Sequence, residues 1–137
     1  MGESAITVET LVSAPKVKVW DSWTSPDDIM KWNFASDDWF CPKADNDVRP
    51  GGKFSFIMSS RDGKMSFDFN GIYDEVVPGE MLSYTIADGR KVNVKFDEKD
   101  GKTRVRETFD PEHTHPLEMQ RSGWQSILDN FKKHTEI

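Results

Sequence analysis

The stretch Lys53–Asn70, KFSFIMSSRDGKMSFDFN, decides the fold. Phe54, Phe56 and Met58 alternate with polar or smaller residues, Asp62-Gly63 interrupts, and Met65, Phe67 and Phe69 resume the alternation. A period of two with one apolar phase is the mark of a strand buried on one face. Asp-Gly between two such runs reads as a hairpin. Pairing about this turn sets Phe56 opposite Phe69 and Met58 opposite Phe67, which gathers the apolar side chains on one face.

The pattern continues downstream. Leu82, Tyr84 and Ile86, then Val92, Val94 and Phe96, repeat the alternation, with turn signals at Pro78-Gly79, Asp88-Gly89 and Asp100-Gly101. Pairing about Asp100-Gly101 sets Phe96 opposite Val105, Val94 opposite Glu107 and Val92 opposite Phe109. Pairing about Asp88-Gly89 predicts Leu82 opposite Phe96, Tyr84 opposite Val94 and Ile86 opposite Val92. Between Phe69 and Pro78, Ile72 and Val76 make better inner residues than Tyr73 and Glu75, so a bulge is expected near Gly71.

Upstream, Ile6, Val8 and Val12 predict a strand over 4–13. Pro15 opens a short helix with a Val19, Trp20 and Trp23 stripe, and Ser25-Pro26-Asp27-Asp28 opens a second, ending near Trp32. Two short strands are expected over 37–41 and 45–49, followed by a turn at Arg49-Pro50-Gly51-Gly52. After Thr114-His115, residues 116–135 carry helical spacing through Leu117, Gln120, Trp124, Ile127, Leu128 and Phe131. Twenty helical residues span roughly 30 Å, enough to cross such a sheet. The fold class is therefore α+β: a curved antiparallel sheet gripping a long C-terminal helix, with two short helices after the first strand.

The 137 residues predict a single domain, 1–137. The net charge of −6 argues against nucleic acid, whose binding rests on clustered Lys and Arg. Arg104-Val105-Arg106 reads as the solvated face of one strand. The lone Cys41 cannot form an internal disulfide, Met1–Thr10 lacks a signal-peptide core, and no apolar run is long enough to span a bilayer. These features predict a cytoplasmic protein with no membrane span.

Several motifs, in order, carry a family resemblance: Ala14-Pro15-Lys16-Val17-Lys18-Val19-Trp20, Ser25-Pro26 with Trp32, Arg49-Pro50-Gly51-Gly52, Val76-Val77-Pro78-Gly79-Glu80-Met81-Leu82, and Gly123-Trp124-Gln125-Ser126-Ile127-Leu128. From about Ile6 to Phe131 the chain resembles the domain homologous to the C-terminal part of the activator of the heat-shock protein 90 ATPase. That domain belongs to the START-like (SRPBCC) helix-grip superfamily. The resemblance implies a sheet wrapped around the last helix and, in many members, an apolar cavity. Members include binders of hydrophobic ligands, lipid-transfer proteins, cyclases and the chaperone activator, so the resemblance speaks to fold more than to function. The co-chaperone's N-terminal domain has no counterpart in these residues, and no catalytic motif carries over residue by residue.

The candidate site follows from the inner face. Phe54, Phe56, Met58, Phe67 and Phe69 line it from the first hairpin; Tyr84, Val94 and Phe96 continue it. The helix contributes Met119, Gly123, Trp124 and Ile127. Gly123 has two readings, close packing of helix on strand or room for a ligand. Glu107 breaks the apolar phase. Either a bulge, a sheet end or an arginine relieves it, or it is a polar anchor or weak acid–base group with a raised pKa, joined by Tyr84. His113 and His115, with Glu112, read as loop and capping residues or as a gate at the pocket mouth, because the chain supplies no full metal-ligand set. Neither a Gly-x-Ser-x-Gly elbow nor a phosphate loop is present, and no cofactor is expected. The leading expectation is a binder of a small hydrophobic, aromatic or lipid-like molecule. The alternatives are a protein-interaction regulator of a heat-shock ATPase, acting through the acidic Asp37, Asp38, Asp45 and Asp47, and, last, a cyclase- or hydrolase-like enzyme.

Overall fold

The computed structural model describes residues 4–137. In chain order the elements are β1 (Ile6–Val12), α1 (Lys16–Thr24), α2 (Pro26–Trp32), β2 (Trp39–Asn46), β3 (Lys53–Ser60), β4 (Ser66–Val77), β5 (Met81–Ile86), β6 (Lys91–Lys99), β7 (Lys102–Phe109) and α3 (Leu117–Thr135). The seven strands form one curled antiparallel sheet in the order β1-β7-β6-β5-β4-β3-β2. From β2 to β7 this is a plain meander, as the regular turn signals predict; β1 then closes the far edge against β7.

Two hairpins have the predicted register, with Phe56 opposite Phe69 and Val94 opposite Glu107. The β5–β6 hairpin does not. Leu82 faces Val94 and Tyr84 faces Val92, a slip of two residues from the expected pairing. Gly89 (φ 92°) lets the chain turn at once, and Ile86 is tied to Arg90 by a 2.9 Å backbone bond. A slip of two keeps every side chain on its face, so the sequence pattern cannot detect it.

The β4 irregularity falls between Tyr73 and Glu75, not near Gly71. Tyr73 is consequently buried and Ile72 exposed, the reverse of the expected assignment. The two strands expected around residues 37–49 are instead the single strand β2, broken by a register shift between Phe40 and Lys43 that turns Cys41 inward. At the start of α2 the Ser25 side chain makes no capping bond, leaving Pro26, Asp27 and Asp28 to favour that terminus.

The core has a solid end and a hollow one. At the solid end Trp23 (α1), Trp32 (α2) and Phe131 (α3) pack with ring centroids 4.9–5.0 Å apart, and Phe96 of β6 adds a contact at 5.8 Å to Trp23. The Trp32 indole N–H donates to the Ser22 carbonyl at 2.9 Å, so this buried ring leaves no donor unmatched. α3 does not cross the middle of the sheet. It lies along the edge strand β1, where Arg121, Gln125 and Lys132 donate to the carbonyls of Thr7, Glu9 and Leu11 at 3.0, 3.2 and 2.7 Å. This lacing covers an edge that would otherwise offer a row of unpaired carbonyls.

Two glycines test this packing in opposite directions. A Cβ at Gly71 would collide with the Thr85 carbonyl oxygen and come to 3.0 Å from a Phe54 ring carbon. Gly71→Ala should destabilise the protein by about 2–3 kcal/mol in urea denaturation. A Cβ at Gly123 meets nothing within 4 Å, so close helix–strand packing is not the reason for that glycine. Gly123→Ala should stabilise by up to about 1 kcal/mol, and a loss of stability there would contradict the open surroundings of this turn of α3.

Candidate functional site

With α3 held at the β1 edge, a cavity of about 280 Å³ remains between the first half of the helix and the curl of β3, β4 and β5. Its walls are mostly rings. Phe54 sits centrally, with Phe56, Phe69, Tyr73 and Tyr84 all within 4.9–5.8 Å, centroid to centroid. Trp124 closes the helical side, stacked on Phe109 at 3.9 Å and 8° between planes. Trp23 and Trp32, the solid end of the core, form the floor. Phe67, half exposed and packed on Trp39 at 5.8 Å, stands at the mouth.

Of the side chains expected to line a site, Phe54, Phe56, Met58, Phe67, Phe69, Tyr84, Glu107, Trp124 and Ile127 border this cavity. Four do not. Val94 and Phe96 are fully buried within the solid core, where α1 and the sheet close over them. Met119 is 60% exposed, because the lacing to β1 rotates its side of the helix away from the sheet. Gly123, one turn on along the same row, faces open space. Met65, at the hairpin end, is exposed as well, so the apolar phase of β4 outlasts its burial.

Glu107 remains on the apolar face. It is 6% exposed, held in register opposite Val94, and among the described residues no hydrogen-bond donor or cation partners its carboxyl. Neither a sheet end nor an arginine relieves it. Desolvation pushes its pKa up from 4.5 to about 8, so it carries a proton at neutral pH. Tyr84 is 7% exposed, and its hydroxyl also lacks a partner among the described residues. Burial raises its pKa well above 10, and the neighbouring Glu107 and Tyr73 add to this. Tyr73 differs in having a partner: its hydroxyl donates to Asn46 Oδ1 at 2.6 Å.

The mouth is polar and rigidly built. Gln120 accepts from the Glu112 N–H at 2.8 Å and donates to the Glu112 and His115 carbonyls at 3.1 and 2.8 Å, locking the β7–α3 loop onto the helix. The Glu112 carboxylate is partly desolvated, but the backbone N–H groups of Thr114 and His115 and the His115 ring outweigh this and hold its pKa near about 2. His115 thus borders the cavity as part of a capped loop. Arg90 also reaches the wall, its Nε on Asp88 at 2.8 Å. Among the described residues, no group of three or more His, Cys, Asp or Glu is disposed to hold a metal ion. Cys41 is buried, and desolvation raises its pKa, the opposite of an activated thiol.

Sequence reasoning missed Arg90, Asn33, Tyr73 and the two floor tryptophans as wall residues. Arg90 was detectable, since it continues the phase of Val92, Val94 and Phe96 by one step. Tyr73 was hidden by the misplaced bulge, and Asn33, buried just after α2, by the absence of any periodic signal there.

An antiparallel sheet curled around a terminal helix, with an aromatic cavity between them, defines a helix-grip domain of the START-like class. The chain belongs to the family of Activator of Hsp90 ATPase homolog 1-like proteins, whose model matches residues 13–136. Among solved structures it is similar to the AHSA1-like protein from Aeromonas hydrophila, at 41% identity and a TM-score of 0.91 over 96% of this chain and 92% of that one. Chr148 from Cytophaga hutchinsonii is 50% identical, with a TM-score of 0.83 over 96% and 91%. CV1439 from Chromobacterium violaceum, at 22% identity and a TM-score of 0.87 over 98% and 99%, shares the fold. No curated protein matches the sequence. No helix among the described residues is long and apolar enough to cross a membrane.

Glu107 links folding to pH with a definite sign. Its folded pKa of about 8 lies above the ordinary 4.5, so the folded state holds this proton more tightly than the unfolded chain. That contribution is complete below about pH 4.5, declines as pH rises, and is lost above about pH 8. Stability measured for the protein minus that of Glu107→Gln should fall by on the order of 4 kcal/mol across this window. A difference that stays flat from acid to base would mean that the carboxyl is solvated in the folded state.

Proposed function

We propose that the protein binds a small hydrophobic molecule, aromatic or lipid-like, in the cavity between the sheet and α3, with Tyr84 and Glu107 orienting it. The observation that carries this reading is the combination of about 280 Å³ of ring-walled space with two buried polar side chains that have no hydrogen-bond partner among the described residues. The cavity opens at its mouth, so its rings face solvent until an apolar ligand covers them and gains the free energy of that burial. The Tyr84 hydroxyl and Glu107 carboxyl face this space, and a ligand that covers them without a hydrogen bond would leave them unmatched. A ligand with an apolar body and one hydrogen-bonding group meets both requirements. The fold family commonly binds ligands, which agrees with this reading.

Regulation of a heat-shock ATPase through the acidic residues has less support. Asp45 pairs with Lys43 and Asp47 with Arg49, so half of that cluster is matched locally. For an enzyme, the cavity offers one protonated carboxyl and no activated nucleophile.

The test is ligand-linked stability. Small apolar aromatics and medium-chain lipids at saturating concentration should raise the melting temperature by several degrees, since a ligand at about 100 times its Kd adds about 2.7 kcal/mol. Ile127→Phe, which puts a ring into the cavity wall, should at least halve the effect. Native mass spectrometry of freshly purified protein should show a bound small molecule. If no compound shifts the melting temperature and nothing co-purifies, the cavity does not serve as a carrier site.

A further inference from the structure

Tyr84 and Glu107 share one wall of the cavity. They project from β5 and β7, on either side of β6. Register places Tyr84 opposite Val92 and Glu107 opposite Val94, so the two polar groups lie one inward step apart across a strand whose own inward side chains are both valine. Each is more than nine-tenths buried, and neither has a hydrogen-bond partner among the described residues. The rest of the cavity cannot supply one. The Tyr73 hydroxyl is spent on Asn46, Arg90 is on Asp88, and Gln120 makes three bonds within the mouth loop. Asn33, whose side chain is also unpartnered, belongs to the helical side after α2.

We infer that this wall is a receptor for one acceptor oxygen, of the carbonyl class, on an otherwise apolar and uncharged molecule, with the Tyr84 hydroxyl and the Glu107 carboxyl as its two donors. The inference rests on the carrier reading above and names the class of ligand. Two donors on one cavity wall are matched by an acceptor oxygen with two lone pairs, which a carbonyl supplies without adding a proton that must itself be paired. An alcohol oxygen can also accept from both, but it brings a proton that then needs the Glu107 carbonyl oxygen or a tyrosine lone pair as its acceptor. A carboxylate or phenolate brings a charge into this wall, with Arg90 already paired with Asp88. An amine cation would draw the proton off Glu107 and bind as an ion pair, with the opposite dependence on pH.

The ionisable groups facing this wall are few. They are Tyr73 on β4, Arg90 in the β5–β6 turn, and Glu112 and His115 in the loop after β7; α3 contributes only Gln120, Trp124 and Ile127. As pH rises through about 8 the carboxyl donor becomes a carboxylate that repels a carbonyl oxygen. Tyr84 keeps its proton throughout.

The experiment titrates the full chain with prodan, a dimethylaminonaphthyl ketone whose emission moves to the red when its carbonyl accepts hydrogen bonds. Its counterpart, with propyl in place of propionyl, competes as the carbonyl-free control. Near pH 6.5 the ketone should bind roughly tenfold more tightly than the control, with red-shifted emission, and most of that advantage should vanish by about pH 9.5. Glu107→Gln, which keeps a donor, should retain the advantage within roughly threefold and lose its pH dependence. Glu107→Leu and Tyr84→Phe should each remove most of it while still binding the control. If ketone and control bind equally at every pH, or a naphthylalkylamine binds more tightly than the ketone, the acceptor-oxygen assignment fails and the carrier reading stands. If neither compound binds the unaltered protein, both fail.

Discussion

The lacing of α3 to the open edge of β1 is the interaction on which the rest of the molecule depends. Long polar side chains at Arg121, Gln125 and Lys132 reach alternate carbonyls of an edge strand, which fixes both the lateral position and the rotation of α3. A helix placed over the centre of the sheet by apolar burial alone would press its stripe onto β4 and β5 and fill the interior. Drawn to the edge, it leaves the curl of β3, β4 and β5 without a cover at one end. The cavity therefore lies where α3, held at the β1 edge by these bonds and by Trp124, Leu128 and Phe131, does not reach.

The fold tolerates this because the other end is overdetermined. Trp23 and Trp32 lie tilted against each other and each meets Phe131 edge-on, and Phe96, Val94 and Leu82 beneath them are sealed from solvent. Large rings bury the most area per residue, so a compact aromatic wedge can hold two short helices and half of a long one. The same tryptophans face the cavity as its floor. Stability and binding space are adjacent but separate, and substitutions in the upper wall can alter one with limited effect on the other.

Most of the fold was legible in the sequence because alternation, turn dipeptides and helical spacing agree over the whole second half. The β3–β4 and β6–β7 registers follow from that agreement. What was not legible shares one physical cause. Periodicity reports which face a side chain takes, but not how far along or across an element it sits. The two-residue slip at Ile86–Arg90 keeps every face unchanged, the shift after Tyr73 moves a bulge by three positions, and Met119 and Gly123 miss the cavity because β1 sets the rotation of α3. None of these is encoded by the pattern of the element concerned. The loop residues Glu112 and His115 were open to a reading as a gate, but the three bonds by which Gln120 ties that loop to the helix became visible only in three dimensions.

Glu107 is the exception that the pattern did reveal, and its position argues for a role beyond architecture. It faces Val94 and lies two residues from both Val105 and Phe109, all fully buried. A leucine there would satisfy every requirement of the fold and would avoid burying an unmatched carboxyl. Strain or close approach does not demand an acid at this point, for the strand is regular on both sides. The second unmatched group, Tyr84, could likewise be phenylalanine without loss of packing. Two independent choices that each weaken the core, on strands separated by one intervening neighbour and facing the same space, are hard to reconcile with a cavity that merely fails to close. They are what a site needs when the missing hydrogen-bond partner arrives from outside the chain.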